Sequence, residues 1–261
     1  MLRKLGLILI KAIIAILALI ILMNIGIYLI EDQRFKGTEV PFNHQYSFNQ
    51  PFTETFFQSS DLGIIHLVCF TKPKPNGVLY YLPGRTADVE YTVNLLKNVF
   101  NLNYDIAILE YRTWGKSRGI ISEVNFYQDA LRGYALLKKK YGENNIVIIG
   151  HSFGGAIAAK TAACNNPRRL ILIASIYSIN EKFKYKPWHF WKYKMETGRF
   201  IQNLKTPITY ICGTKDDLYP ASVRLKDAGK KSDSLWTVPG EGHISIFNSP
   251  KLIECINAAS F

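Results

Sequence analysis

Two hydrophobic patterns divide this chain. From Ala12 to Ile30 no position is charged and Asn24 is the only strongly polar side chain, so a helix there has no polar face. Such a helix rises about 28 Å, close to the thickness of a bilayer's hydrocarbon layer. A helix buried in a soluble core would keep a polar stripe, and a cleaved leader would end in a small-x-small site. Ile27, Tyr28, Leu29 and Ile30 offer no such site. The pattern predicts an uncleaved membrane anchor. Arg3, Lys4 and Lys11 precede the span, while Glu31, Asp32, Arg34 and Lys36 follow it. Basic residues favour the cytoplasmic side, which predicts a cytoplasmic N-terminus and an extracytoplasmic remainder.

Beyond the anchor, residues 31–51 read as an extended connector with Pro41 and Pro51. From residue 52 the second pattern takes over, in which short β-branched or aromatic runs alternate with longer segments of helical period. Thr53–Gln58 and Ile64–Phe70 read as strands flanking a Ser-Ser-Asp-Leu-Gly turn, and Val78–Leu82 as the next strand. Helices and strands then alternate: 88–100, 106–110, 125–141, 146–149 with a helix after it, 170–174, 208–212, 220–231, 235–238, and a last helix from 249. This order predicts an α/β domain over 52–261, built on a mostly parallel central sheet with helices on both faces. The predicted organisation is residues 1–30 as cytoplasmic flank and anchor, 31–51 as connector, and 52–261 as the folded domain.

One stretch carries chemistry. In Asn145–Ala158, NIVIIGHSFGGAIA, an apolar strand runs into G-x-S-x-G and then into small residues of good helix propensity. Glycines two positions either side of Ser152 let the chain turn sharply and let strand and helix approach closely. The serine hydroxyl is thereby presented at the C-terminal edge of a sheet. A serine needs a base, and the base needs an acid to hold its tautomer. Asp216 stands in the loop after strand 208–212, and His243 in the loop after strand 235–238. In a parallel sheet both loops meet Ser152 at one edge. Asp217 is the rival acid, but it reads better as the cap of the following helix. Two N–H groups are needed for a developing oxyanion, and the candidates are Phe153, next to the serine, and Arg85, after Pro83-Gly84.

Composition changes this picture little. The formal charge of +12 is scattered, with no nucleic-acid recognition motif beside it. Solubilising charge, or attraction to an anionic membrane, accounts for it better than a nucleic-acid partner. The four cysteines, Cys69, Cys164, Cys212 and Cys255, lack metal-ligand spacing and read as buried free thiols.

These motifs resemble the α/β-hydrolase superfamily, in the short-cap branch that groups serine aminopeptidase-like and monoglyceride lipase-like enzymes. The resemblance runs from about Phe52 to the C-terminus. It rests on GHSFGG at the serine, EYRTWGKSRG (Glu110 to Gly119) against the family's D-Y-R-G-Y-G-x-S-x-G, GTKDDLYP against G-x-x-D-x-x-V-P, and GEGH at the histidine. It implies ester or amide hydrolysis through an acyl-enzyme, with neither metal nor organic cofactor. Two departures stand out. Pro83-Gly84 replaces the family's His-Gly, and the cap insertion, about 177–205, is short, which predicts an open site. Within it, Glu181 to Phe200 interleaves Lys182, Lys184 and Lys186 with Phe183, Tyr185, Trp188, Phe190, Trp191 and Tyr193. That mixture reads either as ordinary cap structure or as a patch for a membrane interface. A small acyl ester or lipid is the expected substrate. A peptidase or amidase of the same fold, and a non-catalytic binding module on a hydrolase scaffold, are the alternatives.

Overall fold

A computed structural model of the protein describes residues 2–85, 88–184 and 191–260. The N-terminal pattern becomes one continuous helix, α1 (Leu2–Ile30), on which Leu5, Leu7, Ile8, Leu9, Ile14 and most of the later leucines and isoleucines stand exposed. It is long and apolar enough to cross a membrane. Asn24, its polar exception, donates through its side-chain amide to the Ile20 carbonyl at 2.8 Å, which satisfies the group within the helix itself. A single 3-10 turn, Glu31–Arg34, ends it.

Among the described residues the folded body holds eight strands: β1 (Phe52–Gln58), β2 (Ile64–Phe70), β3 (Val78–Leu82), β4 (Asp105–Glu110), β5 (Ile146–His151), β6 (Arg169–Ile173), β7 (Ile208–Gly213) and β8 (Ser234–Val238). They form one sheet in the order β1-β2-β4-β3-β5-β6-β7-β8. The β1/β2 and β2/β4 pairs are antiparallel, and the other five are parallel. The central strands read as unbroken apolar runs because both their faces are covered. All five residues of β3 and all six of β5 are buried.

Helices α2 (Val89–Leu95), α3 (Glu123–Tyr141), α4 (Gly154–Ala163), α7 (Tyr219–Ala228) and α8 (Pro250–Ser260) surround the sheet, with α5 (Ile179–Lys182) and α6 (Thr197–Ile201) in the cap. The apolar core divides into two clusters across the sheet. One gathers Tyr80, Leu109, Phe126, Ala158 and Leu172, and the other Leu79, Ile108, Ile149, Phe247 and Ile256. The expected helix over 88–100 is in fact two pieces, because α2 stops at Leu95 and a short 3-10 turn covers Val99–Asn101. Its start follows the sequence, with the Asp88 side chain capping the Tyr91 N–H.

Residues 31–40 lie against the body. The indole Nε1 of Trp114 donates to the Phe35 carbonyl at 3.1 Å, and the Gly37 N–H donates to Thr113 Oγ1 at 3.1 Å. Gly115 N–H donates to Thr38 O, and Val40 N–H to Gly115 O. Gly37 fits only because it lacks a Cβ, which would stand 2.0 Å from the Trp114 ring.

The loop after β4 is held by a buried ion network. The fully buried Arg112 donates from Nε to Asp129 at 2.7 Å and from both terminal nitrogens to Asp61, at 2.5 and 2.7 Å. The Arg112 guanidinium holds the Asp61 carboxyl down at about 2.

Candidate active site

In β3-β5 the strand order reverses, which is where an α/β sheet opens a crevice at its C-terminal edge. The loops after β3, β5, β7 and β8 all reach this edge. Ser152, just past β5, takes φ of +54°, a left-handed conformation costly for a residue with a side chain. Its backbone is fixed from both sides, with its N–H donating to Ile173 O at 2.9 Å and its carbonyl accepting from Gly155 N–H at 3.1 Å. Steric room comes from the glycines. A Cβ on Gly150 would stand 2.6 Å from Ala158 Cβ, and one on Gly154 would stand 2.1 Å from the Leu82 carbonyl oxygen. Strand, serine and helix α4 are thus packed at distances that only glycine allows.

Ser152, His243 and Asp216 lie in one hydrogen-bonded chain. His243 Nε2 is 3.0 Å from Ser152 Oγ, and its Nδ1 is 2.9 Å from Asp216 Oδ2. The other carboxylate oxygen of Asp216 accepts the Leu218 N–H at 2.8 Å. Burial opposes the charge on Asp216, but the hydrogen bonds from His243 and Leu218 outweigh it and hold its carboxyl below the usual range. Asp216 is buried while Asp217 is exposed, and no side chain caps α7, so Asp217 does not play the capping role expected of it. His151, packed 5.0 Å from His243 centre to centre, is pushed down to about 3 by burial and then by its neighbour, and is neutral.

The loop Pro83–Arg85 lies beside the serine: a Cβ on Gly84 would sit 3.5 Å from Ser152 Cβ. Among the described residues, neither the Phe153 nor the Arg85 backbone N–H is spent on an internal hydrogen bond. Two groups that sequence reasoning did not single out hold this loop. Tyr111 donates its hydroxyl to the Pro83 carbonyl at 3.0 Å, and Glu110 accepts the Val89 N–H at 2.9 Å. Both belong to the EYR segment, whose resemblance to the family loop was the available signal. Phe153 itself sits in an aromatic cluster with Phe35, Tyr111 and Phe126 at 5.1, 6.0 and 5.4 Å between ring centres.

A cavity of about 460 Å³ opens over Ser152. Ile176, Ile179, Phe183, Leu218 and Ile244 make its apolar wall, and Arg85, Lys182 and Lys215 bring positive charge to it. In the cap, Lys182, Phe183 and Lys184 are exposed, whereas Tyr193 is fully buried and so takes no part in an outward patch. Tyr185, Lys186, Trp188 and Phe190 lie outside the described residues. Of the cysteines, Cys69, Cys212 and Cys255 are buried free thiols as expected, but Cys164 at the end of α4 is exposed. Among the described residues no cluster of His, Cys, Asp and Glu has the geometry of a metal site.

A mostly parallel eight-stranded sheet with a serine on a glycine-flanked strand-turn-helix corner defines an α/β hydrolase. The chain belongs to the serine aminopeptidase S33 family, whose model matches residues 73–237, more than half of its length. It is 26% identical over 212 residues to a lysophosphatidylserine lipase, ABHD12, of Danio rerio, covering 67% of this chain and 56% of that protein. With the Mus musculus lysophosphatidylserine lipase ABHD12 it shares 32% identity over 120 residues, 43% of this chain and 30% of the relative. The chain therefore spans about half or less of these curated relatives. Among solved structures, the esterase Pf2001 of Pyrococcus furiosus superposes with a TM-score of 0.67 at 15% identity, over 87% of this chain and all of that one. The α/β hydrolase GrgF of Penicillium sp. sh18 superposes with a TM-score of 0.63 at 13% identity, over 80% of this chain and 99% of that one. At these identities the likeness is one of fold.

Proposed function

We propose that the protein is a membrane-anchored serine hydrolase that cleaves lipid-like carboxylic esters through an acyl-enzyme. The observation that carries this reading is the hydrogen-bonded chain Ser152–His243–Asp216 at the floor of a half-apolar cavity. Ser152 Oγ attacks the acyl carbonyl while His243 Nε2 takes its proton. The oxyanion lies between the N–H groups of Phe153 and Arg85. Collapse of this intermediate expels the alcohol, which leaves with the proton from His243, and the acyl group remains on Ser152. Water then gives a proton to His243 and attacks the acyl-enzyme; the carboxylic acid departs and Ser152 recovers its proton. Asp216 keeps the imidazole in the tautomer that presents a bare Nε2 to the serine.

The apolar wall suits one acyl chain, and Arg85, Lys182 and Lys215 suit an anionic leaving group. The names of the ABHD12 relatives support a lysophospholipid as that ester. An aminopeptidase site would have to receive a protonated amino terminus, and at this rim Arg85, Lys182 and Lys215 outnumber the exposed Asp217 and disfavour one. Helix α1 is the anchor, and Arg3, Lys4 and Lys11 in its N-terminal turns favour a cytoplasmic N-terminus and an extracytoplasmic domain.

The test uses the full chain purified in detergent, with a fluorophosphonate probe and a panel of lysophospholipids whose released fatty acid is measured by mass spectrometry. The parent is expected to label and to release fatty acid, and Ser152→Ala and His243→Ala to do neither. Equal turnover by Ser152→Ala and the parent would overturn the reading.

A further inference from the structure

The segment that joins the helix to the folded body makes closer contact with the oxyanion loop than a tether requires. Glu31–Phe35 follows Ile30 without a spacer. Phe35 is 2% exposed, and its ring lies 5.1 Å from that of Phe153 and 4.2 Å from that of Tyr193. The Arg34 carbonyl accepts Nη1 of Arg85 at 2.7 Å, and the Arg34 guanidinium lies 5.4 Å from the ring of Phe183, a wall residue of the cavity. Asp32 accepts the Tyr193 hydroxyl at 2.7 Å and pairs with Lys192 Nζ at 2.5 Å, and Glu31 accepts the Lys192 N–H at 2.7 Å.

These contacts converge on two residues. Phe153 and Arg85 are the two from which the oxyanion donors are drawn, and the segment touches the side chains of both. We propose that Glu31–Phe35 is a positioning element of the active site: Phe35 seats Phe153, and the Arg34 carbonyl holds Arg85, so that both N–H groups face the same point above Ser152. The inference rests on the site reading given above. It goes beyond it by making the juxtamembrane segment part of the machinery rather than a leash. Donors aimed at a developing charge contribute only when their geometry is fixed beforehand, and small displacements are costly. Two donors on different loops need a common support, and this segment spans them. On the far side the cap contributes Tyr193 and Lys192 to the same contact, so cap, anchor and oxyanion loop form one unit.

The experiment compares the 261-residue chain and its variants in detergent micelles, hydrolysing a water-soluble p-nitrophenyl butyrate so that delivery of substrate from a membrane plays no part. Phe35→Ala is expected to lower kcat about tenfold with KM within about twofold, and to slow fluorophosphonate labelling in parallel. Phe35→Leu, which restores apolar bulk, recovers most of kcat. Circular dichroism melts establish that each variant is folded. Asp32→Asn leaves every apolar contact in place and is expected to lower kcat severalfold, so it carries the test if Phe35→Ala fails to fold. If Ser152→Ala is inactive while the folded Phe35→Ala or Asp32→Asn variants keep the parental kcat, the positioning role is wrong and the site reading stands. If Ser152→Ala keeps the parental activity, the site reading itself has failed.

Discussion

Replacing Asp216 with asparagine is the sharpest perturbation of the site, because the change is isosteric and the two oxygens have separate partners. Oδ1 accepts the Leu218 N–H at 2.8 Å, and Oδ2 faces His243 Nδ1 at 2.9 Å. An asparagine has one oxygen to offer. The Leu218 N–H is a fixed backbone donor, so the amide oxygen is held there and the NH2 group turns to the imidazole. His243 must then carry its proton on Nε2, where it donates to Ser152 Oγ at 3.0 Å instead of accepting from it. The opposite flip sets the amide NH2 against the Leu218 N–H, two donors face to face. The first arrangement removes the general base while leaving the cavity unchanged, and the second is disfavoured because it leaves the buried Leu218 N–H without an acceptor. The expected loss in kcat is about 10,000-fold, or about 5.4 kcal/mol of transition-state stabilisation. Activity on a short p-nitrophenyl ester and the rate of fluorophosphonate labelling are to be measured side by side, with far-ultraviolet circular dichroism as the check on folding. Asp217→Asn, at the exposed neighbour, keeps kcat of the same order. A folded Asp216→Asn enzyme within tenfold of the parent would refute the assignment of the acid.

Other parts of the structure give four further outcomes. Arg112→Met strands the buried Asp129 without its cation, and is expected to cost about 3–5 kcal/mol in denaturant unfolding; a loss below about 1 kcal/mol would mean the network is not structural. Because the Arg112 hydrogen bond lowers the Asp61 carboxyl from 3.8 to about 2, its stabilisation is complete above pH 4 and fades as pH falls toward 2. Acid titrations should therefore show a transition in that window for the parent, and a higher-pH one for Arg112→Met. Gly154→Ala sets a Cβ 2.1 Å from the Leu82 oxygen and 2.3 Å from the Pro83 oxygen, so it displaces the oxyanion loop and should abolish ester hydrolysis; full activity in that variant would show that the corner has slack. Of the four thiols, burial pushes Cys69 and Cys255 up to about 11 and Cys212 to about 12, so native alkylation followed by peptide mass spectrometry should modify Cys164 alone.

Much of this arrangement could be read from the residues because the determinants were local. The bounds of β2 and β3 match their apolar runs, and the Gly150–Gly155 turn announces the close packing that its missing Cβ atoms permit. Ser152, Asp216 and His243 could be placed together because topology alone brings the ends of parallel strands to one edge. What escaped was decided by tertiary contact. Nothing in the aromatic pattern of the cap separates Tyr193, turned inward onto Phe35 and Asp32, from the exposed Phe183. Asp217 looked like a helix cap, but the turn made by Asp216 onto the Leu218 N–H put Leu218 at that position instead. The role of Glu110 and Tyr111 in holding the loop after β3 depends on a neighbouring strand. In the connector, a lone phenylalanine carries no periodic signal, and its burial follows from the surface it meets.

The direct junction of α1 with the body has a kinetic corollary. With α1 in a bilayer, as proposed, a domain held by a buried phenylalanine immediately beyond that helix does not wander at the end of a string; its cavity stays at one height over the lipid. For such an enzyme the bulk concentration of substrate ceases to be the controlling variable. Turnover in vesicles should instead follow the mole fraction of the ester in the bilayer, remaining constant when the vesicles are diluted with buffer and falling when the ester is diluted with inert lipid.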